Sequence, residues 1–452
     1  MNESEITSGI RSVIHVAAYF EELKQSAREL ADRASASKRG YFTPDEEEAA
    51  QGLLVSYWQT RNALFELITS FRTDTELVEE DRPAVFLTAF AAALLLVDAA
   101  RFLRDTVHNR PLVRQKLNEP LPQFGIEGGV YDHVQQSLLS ARNAWHLYHA
   151  IEYFEESQAQ LRERAANSQL DPVMQIVDRL RHRLDVTVAQ FTRVKLRTRA
   201  SQIVRKLACS LLGRAMYGLQ KWGGNLVADR YVRLGHRPAL PADVAGRLRS
   251  LLLPGDVIIV RKEYALTNYF LPGYWPHAAL YLGNVRLLQT LEGGVKDEHR
   301  PRWRRLLKAA GDGEDRVLES MKDGVFVRSL DSPFASDSAV ILRPKLQVSD
   351  VGRALGRVLP HEGKAYDFDF DFRRADRLVC TEVVYRAFEG IGDVSLPLTV
   401  RAGRPTLSGS DLIHMAIDNA NFEPVAVFAP MLAKGIVIGN PAVKVLVAGE
   451  RG

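Results

Sequence analysis

Tyr366-Asp367-Phe368-Asp369-Phe370-Asp371-Phe372-Arg373-Arg374-Ala375-Asp376-Arg377-Leu378-Val379-Cys380-Thr381-Glu382-Val383-Val384-Tyr385-Arg386-Ala387-Phe388 is the stretch whose reading decides the fold. Aromatic and acidic residues alternate as far as Phe372, a period of two that reads as an edge strand or a pocket rim. Beyond a charged turn, Val379, Val383, Val384, Ala387 and Phe388 recur three and four residues apart. That spacing is a helix with one buried face. Cys380 falls at the helix start, with Asp376 as the expected N-cap. A thiol there lies near unpaired backbone N–H groups and the positive end of the helix dipole, and both favour the thiolate. Taken alone, the same cysteine also reads as a small buried hydrophobe.

The rest of the chain supplies room for a large protein. Its 452 residues are 46% hydrophobic and 25% charged, which suits two or more domains with sizeable cores. A net charge of +4 is too small to point to nucleic acid. The two cysteines, Cys209 and Cys380, make neither a disulfide framework nor a metal site, and their scarcity fits a reducing compartment. The first residues, MNESEITSGIRSVIHVAAYFEEL, carry acid early and lack the apolar core of a signal peptide, so a cytoplasmic protein is expected. The apolar run Ala84–Val97 is shorter than the ~20 residues of a membrane span and reads as a buried core helix.

Residues 1–240 read as an all-helical domain. Thr43-Pro44-Asp45-Glu46 is a helix start in which Thr43 caps, Pro44 takes the first position and Glu46 reaches back as in a capping box. Arg82-Pro83 opens the next helix behind acidic residues. A long helix is expected from Tyr131 to about Ala166, and another from Asp171-Pro172. Around 200–222, basic residues flank the line Ile203, Leu207, Leu211, Ala215 and Leu219, which is a basic amphipathic helix. It reads either as a surface helix packed on its own domain or as a peripheral contact with an anionic membrane.

Residues 241–452 change character. After Leu253-Pro254-Gly255-Asp256, strands are expected at Val257–Arg261, Ala278–Leu282, Arg286–Leu291, Arg316–Ser320, Val325–Leu330 and Ala339–Arg343. Gly283-Asn284 reads as the tight turn joining the second and third. Helix returns at about Ser349–Leu359 and at Cys380. The fold class is therefore α+β, with an antiparallel sheet packed on helices.

A reactive thiol needs a base and a group that orients the base. His277 heads a strand in Trp275-Pro276-His277-Ala278-Ala279-Leu280-Tyr281, where a rigid sheet holds its ring. His299 and His361 lie in charged, loop-like contexts that suggest solvated residues, and His414 is on a helix. Glu319 is an acid inside an apolar strand, and if buried it needs a partner such as a histidine. Period two puts it on one face with Val317. Each of these residues alone also has an ordinary structural reading.

Their order and flanks are similar to a known family. Pro254-Gly255-Asp256, the His277 strand, Val317-Leu318-Glu319, Tyr366-Asp367 and Leu378-Val379-Cys380-Thr381-Glu382 together resemble the circularly permuted branch of the NlpC-type papain-like superfamily. That branch includes YiiX-like amidases, and lecithin:retinol acyltransferase-like enzymes are relatives. The resemblance covers about residues 250–395. It implies a permuted order, with the histidine strand before the nucleophile helix. It also implies Cys380 as nucleophile, His277 as base, Glu319 as orienting acid and the Cys380 backbone N–H as oxyanion donor. Tyr366 reads as a pocket or packing residue. The expected chemistry is hydrolysis of an amide or peptide through a thioester on Cys380, with no cofactor and no metal. The alternatives are a lipid acyltransferase or thioesterase at a membrane surface, and a non-enzymatic interaction protein.

Overall fold

In the computed structural model, the described residues are 3–33, 39–70, 80–107, 109–124, 126–139, 141–184, 238–263, 274–308, 314–401 and 403–450. The basic segment at 200–222, with Cys209, lies outside them. The chain divides into two compact units.

The first unit is helical: α1 (Glu3–Arg33), α2 (Pro44–Ser70), α3 (Arg82–Val107), α4 (Pro111–Leu117), α5 (Val130–Leu139), α6 (Ala141–Ala165) and α7 (Asp171–Leu180). The start of α2 is a capping box. The Thr43 N–H donates to Glu46 Oε2 at 2.9 Å and the Glu46 N–H to Thr43 Oγ1 at 3.4 Å. Helix α3 is long and apolar enough to cross a membrane, yet every residue from Val85 to Ala100 is buried in the unit. Its one buried acid, Asp98, pairs with Lys24 of α1 and, at 3.0 Å, with Arg183. The helix expected over Tyr131–Ala166 is present on both sides of residue 140, as α5 and α6.

The second unit opens with α8 (Ala242–Leu251). It continues through β1 (Val257–Arg261), β2 (His277–Gly283), α9 (Val285–Thr290), α10 (Arg300–Lys308), β3 (Arg316–Met321), β4 (Gly324–Ser329), α11 (Asp331–Phe334) and β5 (Ser338–Pro344). Then come α12 (Val348–Val358), β6 (Ala365–Tyr366), β7 (Arg377–Leu378), α13 (Cys380–Phe388), β8 (Thr399–Arg401) and β9 (Arg404–Thr406). Last are α14 (Gly409–Ile417), β10 (Phe422–Phe428), β11 (Ile436–Ile438) and α15 (Ala442–Glu450). Among the described residues the main sheet runs β11-β10-β5-β1-β2-β3-β4, antiparallel throughout.

Strand alternation separates two cores. Val257, Ile259, Ala278, Leu280, Leu318, Val340 and Leu342 face the apolar sides of α12, α13 and α14. Ile258, Val260, Ala279, Tyr281, Val317 and Ile341 face Val244 and Leu248 of α8 and Phe334 of α11. The face of α13 is the one its spacing calls for: Val379, Val383, Val384, Ala387 and Phe388 are all buried.

Three local expectations are corrected. Residues 286–291 are not a strand. Asn284 does not turn a hairpin but caps α9, its Oδ1 accepting the Leu287 N–H at 3.1 Å, and the partner of β2 is β3. A side-chain cap of this kind redirects a short apolar run into helix. The alternating aromatic–acid run is not an edge strand either. Only Ala365 and Tyr366 pair, in parallel with Arg377 and Leu378. Asp367 then turns inward, fully buried, and accepts the N–H groups of Asp369 at 3.0 Å and Asp371 at 2.7 Å. Those are donors a strand would give to a neighbour. Phe370 takes a φ of +53°, a left-handed conformation that ends any extended geometry. Finally, Asp376 is not the cap of α13. Val379 holds that position without a side-chain bond, and Asp376 is drawn off by Arg374 and Arg377.

Candidate active site

Strands β2 and β3 pair with Leu280 opposite Leu318 and Tyr281 opposite Val317. Carried along both strands, this register puts His277 and Glu319 on one face as diagonal neighbours. Their side chains meet: His277 Nε2 lies 2.8 Å from Glu319 Oε2. Glu319 is 1% exposed and so does not face water. Its second oxygen, Oε1, accepts from the Ser332 hydroxyl of α11 and lies 3.4 Å from Arg328 Nε of β4. Arg328 in turn donates to buried Asp323 at 2.6 Å. Burial pushes the Glu319 carboxyl up, but His277, Ser332 and Arg328 outweigh it and hold the group below its usual range. A carboxyl held below its usual range is thereby fixed against one imidazole nitrogen.

With Nε2 taken by Glu319, Nδ1 is left for the thiol. The Cys380 thiol and His277 act on each other's ionisation. Burial pushes the thiol up and the imidazolium down, and each group reverses the effect on the other. The positive ring lowers the thiol, aided by the N–H groups of Ala278 and Thr381. The negative sulfur, then Glu319, raises His277 to about 9. Each group thus favours the charged form of the other. Cys380 is 2% exposed, whereas a quarter of the His277 side chain remains accessible. As the first residue of α13, Cys380 has no intrahelical acceptor for its N–H, which leaves that donor beside the sulfur.

The framework around the pair is tied at both ends. The Ser320 hydroxyl donates to the Leu378 carbonyl at 2.6 Å, joining β3 to the residues just before Cys380. The Thr381 hydroxyl, next after Cys380, donates to the Leu407 carbonyl at 2.6 Å. Two residues on, Gly409 packs so closely on Trp275 that an added Cβ would lie 2.0 Å from the Trp275 carbonyl oxygen. Trp275 is fully buried and precedes His277 by two residues. Leu407–Gly409 therefore braces the entries to both the cysteine helix and the histidine strand. Ser408 within it caps α14 in a reciprocal box with Asp411.

The other sequence-selected residues lie elsewhere. Tyr366 stacks edge-on with Phe368 at 4.9 Å and Phe370 at 6.1 Å, beside the core. His414 lies 3.4 Å from Glu450. His299 and His361 are half-buried and not the solvated residues their contexts suggest. His361 faces Lys364 at 2.9 Å, and burial with nearby cations pushes it down to about 4. Among the described residues, no group of three or more histidine, cysteine, aspartate or glutamate side chains is arranged to hold a metal. Sequence reading missed Ser332 and Arg328, which support Glu319 from other elements. It also missed Glu382, fully buried two residues after Cys380 and bonded to Arg386 at 2.8 Å.

Residues 252–405 match the family model described as permuted papain-like amidase enzyme, YaeF/YiiX. No curated protein and no solved structure matches the chain. The matched span contains His277, Glu319 and Cys380 in that order, and it ends before Leu407–Gly409. This part of the chain has the permuted papain-like fold and is similar to that amidase family.

Proposed function

We propose that the permuted papain-like domain is a cysteine amidase in which Cys380, His277 and Glu319 act as nucleophile, acid–base and orienting carboxylate. The observation that carries this reading is the buried Glu319 carboxylate 2.8 Å from His277, whose remaining nitrogen is directed to the thiol at the head of α13. The thiolate attacks the amide carbonyl carbon, and the π electrons move to oxygen. The Cys380 N–H donates to that oxyanion, a contact typically worth ~2.7–4 kcal/mol in the transition state. The imidazolium passes its proton to the leaving nitrogen as the C–N bond breaks, and a thioester remains on Cys380. His277 then takes a proton from water as its oxygen attacks the thioester, and the carboxylic acid leaves with the thiolate restored.

Ester and thioester donors would follow the same steps. The amide is preferred because the matched family is one of amidases. Tyr366 is assigned to the surroundings of the site, through its strand pairing with Leu378 two residues before Cys380. The scarcity of cysteine supports a reducing compartment such as the cytoplasm, and the helical unit is taken as an accessory domain covering about residues 1–240.

The test is the pH dependence of Cys380 alkylation by iodoacetamide in the full chain, mapped by mass spectrometry with Cys209 as internal control. The expected inflection lies well below the free-thiol value of ~8.5 and rises towards it in His277→Ala. Slow alkylation of Cys380 that is unaffected by His277→Ala would overturn the assignment.

A further inference from the structure

The helical unit contains a partly open cavity of about 280 Å³ lined by α1, α2, α3, α4 and the residues around them. Its lining is almost wholly apolar. Helix α1 contributes a stripe at three- and four-residue spacing from Phe20 to Ala31, and α2 and α3 face it with Leu53, Leu54, Phe102 and Leu103. Natural cores are packed near crystal density, and voids larger than a water molecule are few. An apolar space of this size does not hold water well, and an engineered cavity of about 150 Å³ already takes up benzene.

Two charged side chains line the space. Lys24 is engaged, by Asp98 and by Glu21 at 3.0 Å. Arg110, just beyond the C-terminus of α3, is half-buried and has no side-chain hydrogen bond or ion pair among the described residues. Phe20 and Tyr57 pack together with ring centres 6.2 Å apart. From Phe20 to Ala31 the α1 stripe extends about 16 Å at ~1.5 Å per residue. Asp98, which binds Lys24, lies twelve residues before Arg110, so Arg110 stands towards the far end of that stripe.

We propose that this cavity binds a single-chain fatty carboxylate of medium length, with its chain along the α1 stripe and its carboxylate on Arg110. A chain of about ten carbons is short enough to lie along the ~16 Å run of the α1 stripe. The guanidinium is the group suited to a carboxylate, because its planar fork donates two parallel hydrogen bonds. The site lies wholly within the helical unit and does not depend on the amidase reading.

The experiment is calorimetric titration of the full chain with decanoate, and with decanol as the uncharged control. Decanoate is expected to bind once per chain, saturably and below its micellar concentration. Arg110→Gln should weaken decanoate roughly ten- to a hundredfold, the usual effect of losing a hydrogen bond to a charged group, and leave decanol within about twofold. Ala50→Phe, which fills the cavity, should weaken both ligands. If that variant no longer melts cooperatively, Ala99→Leu replaces it. Absence of saturable decanoate binding overturns the proposal, as does undiminished affinity in Arg110→Gln. Loss of affinity in Tyr57→Phe without loss in Arg110→Gln would place the carboxylate at the wrong end and overturns it too.

Discussion

Glu319 Oε2 lies 2.8 Å from His277 Nε2 across two neighbouring antiparallel strands, and the same carboxylate is bonded through its other oxygen to Ser332. Both oxygens are thus committed, and the imidazole is held with one defined nitrogen towards Cys380. Glu319→Gln keeps the shape but loses the charge that supports the imidazolium. Amide hydrolysis should fall by ~10² or more in kcat/KM, within the range general acid–base groups contribute. The alkaline limb of the rate profile should move to lower pH. A loss of rate with the limb unmoved would show that Glu319 acts only through packing.

The pH–rate profile of the native chain follows from the coupled pair. In the proposed mechanism the active form needs thiolate and imidazolium together. Rate should rise as the thiol ionises, below its ordinary value because of His277, and fall as His277 loses its proton at about 9. Stability carries the same sign for the histidine. Its folded pKa is raised, so its contribution is complete below the unfolded value of ~6.5 and is lost as pH rises through about 9. Urea midpoints of native chain and His277→Ala, compared at pH 6 and pH 10, should differ more at pH 6.

Gly409→Ala places a methyl 2.0 Å from the Trp275 carbonyl, which is backbone and yields only if Trp275 or α14 moves. Overpacking of this kind costs ~1–3 kcal/mol, readable as a lower melting temperature. Because the same segment receives the Thr381 hydroxyl, the shift should also loosen the Cys380–His277 pair. The Cys380 alkylation inflection should move up towards the free-thiol value. A lower melting point with an unchanged inflection would limit Gly409 to packing.

Glu382 is fully buried two residues after Cys380. Burial pushes its carboxyl up and Arg386 pulls it down, Asp367 adds to the rise, and the result is about 7. An acid raised in the folded state contributes most below its unfolded value of ~4.5 and loses that contribution as pH rises through 7. Native chain minus Glu382→Gln, measured as urea midpoints from pH 5 to pH 8.5, should therefore fall with increasing pH. A flat difference would mean that Arg386 keeps the group ionised throughout.

What the sequence by itself determined is what local periodicity encodes. The buried face of α13, five of the strands in the main sheet and the order of histidine, acid and cysteine were legible, because side-chain alternation and helical spacing leave a direct trace in the chain. The capping box of α2 was legible for the same reason, since both partners lie within four residues. Tertiary structure alone decided whatever depends on groups distant in the chain. The run at 286–291 has a strand's composition, but β2 took β3 as its partner and left Asn284 to cap a helix. The alternating aromatics at 366–372 have a strand's period, but a buried aspartate claimed their backbone donors. Ser332 and Arg328 reach Glu319 only because β4 and α11 fold back on β3. Gly409 meets Trp275 across more than a hundred residues, a contact that no spacing rule records. The sequence carries each element's faces, while the partner each face receives is set by the competition for burial and hydrogen bonds in the folded chain.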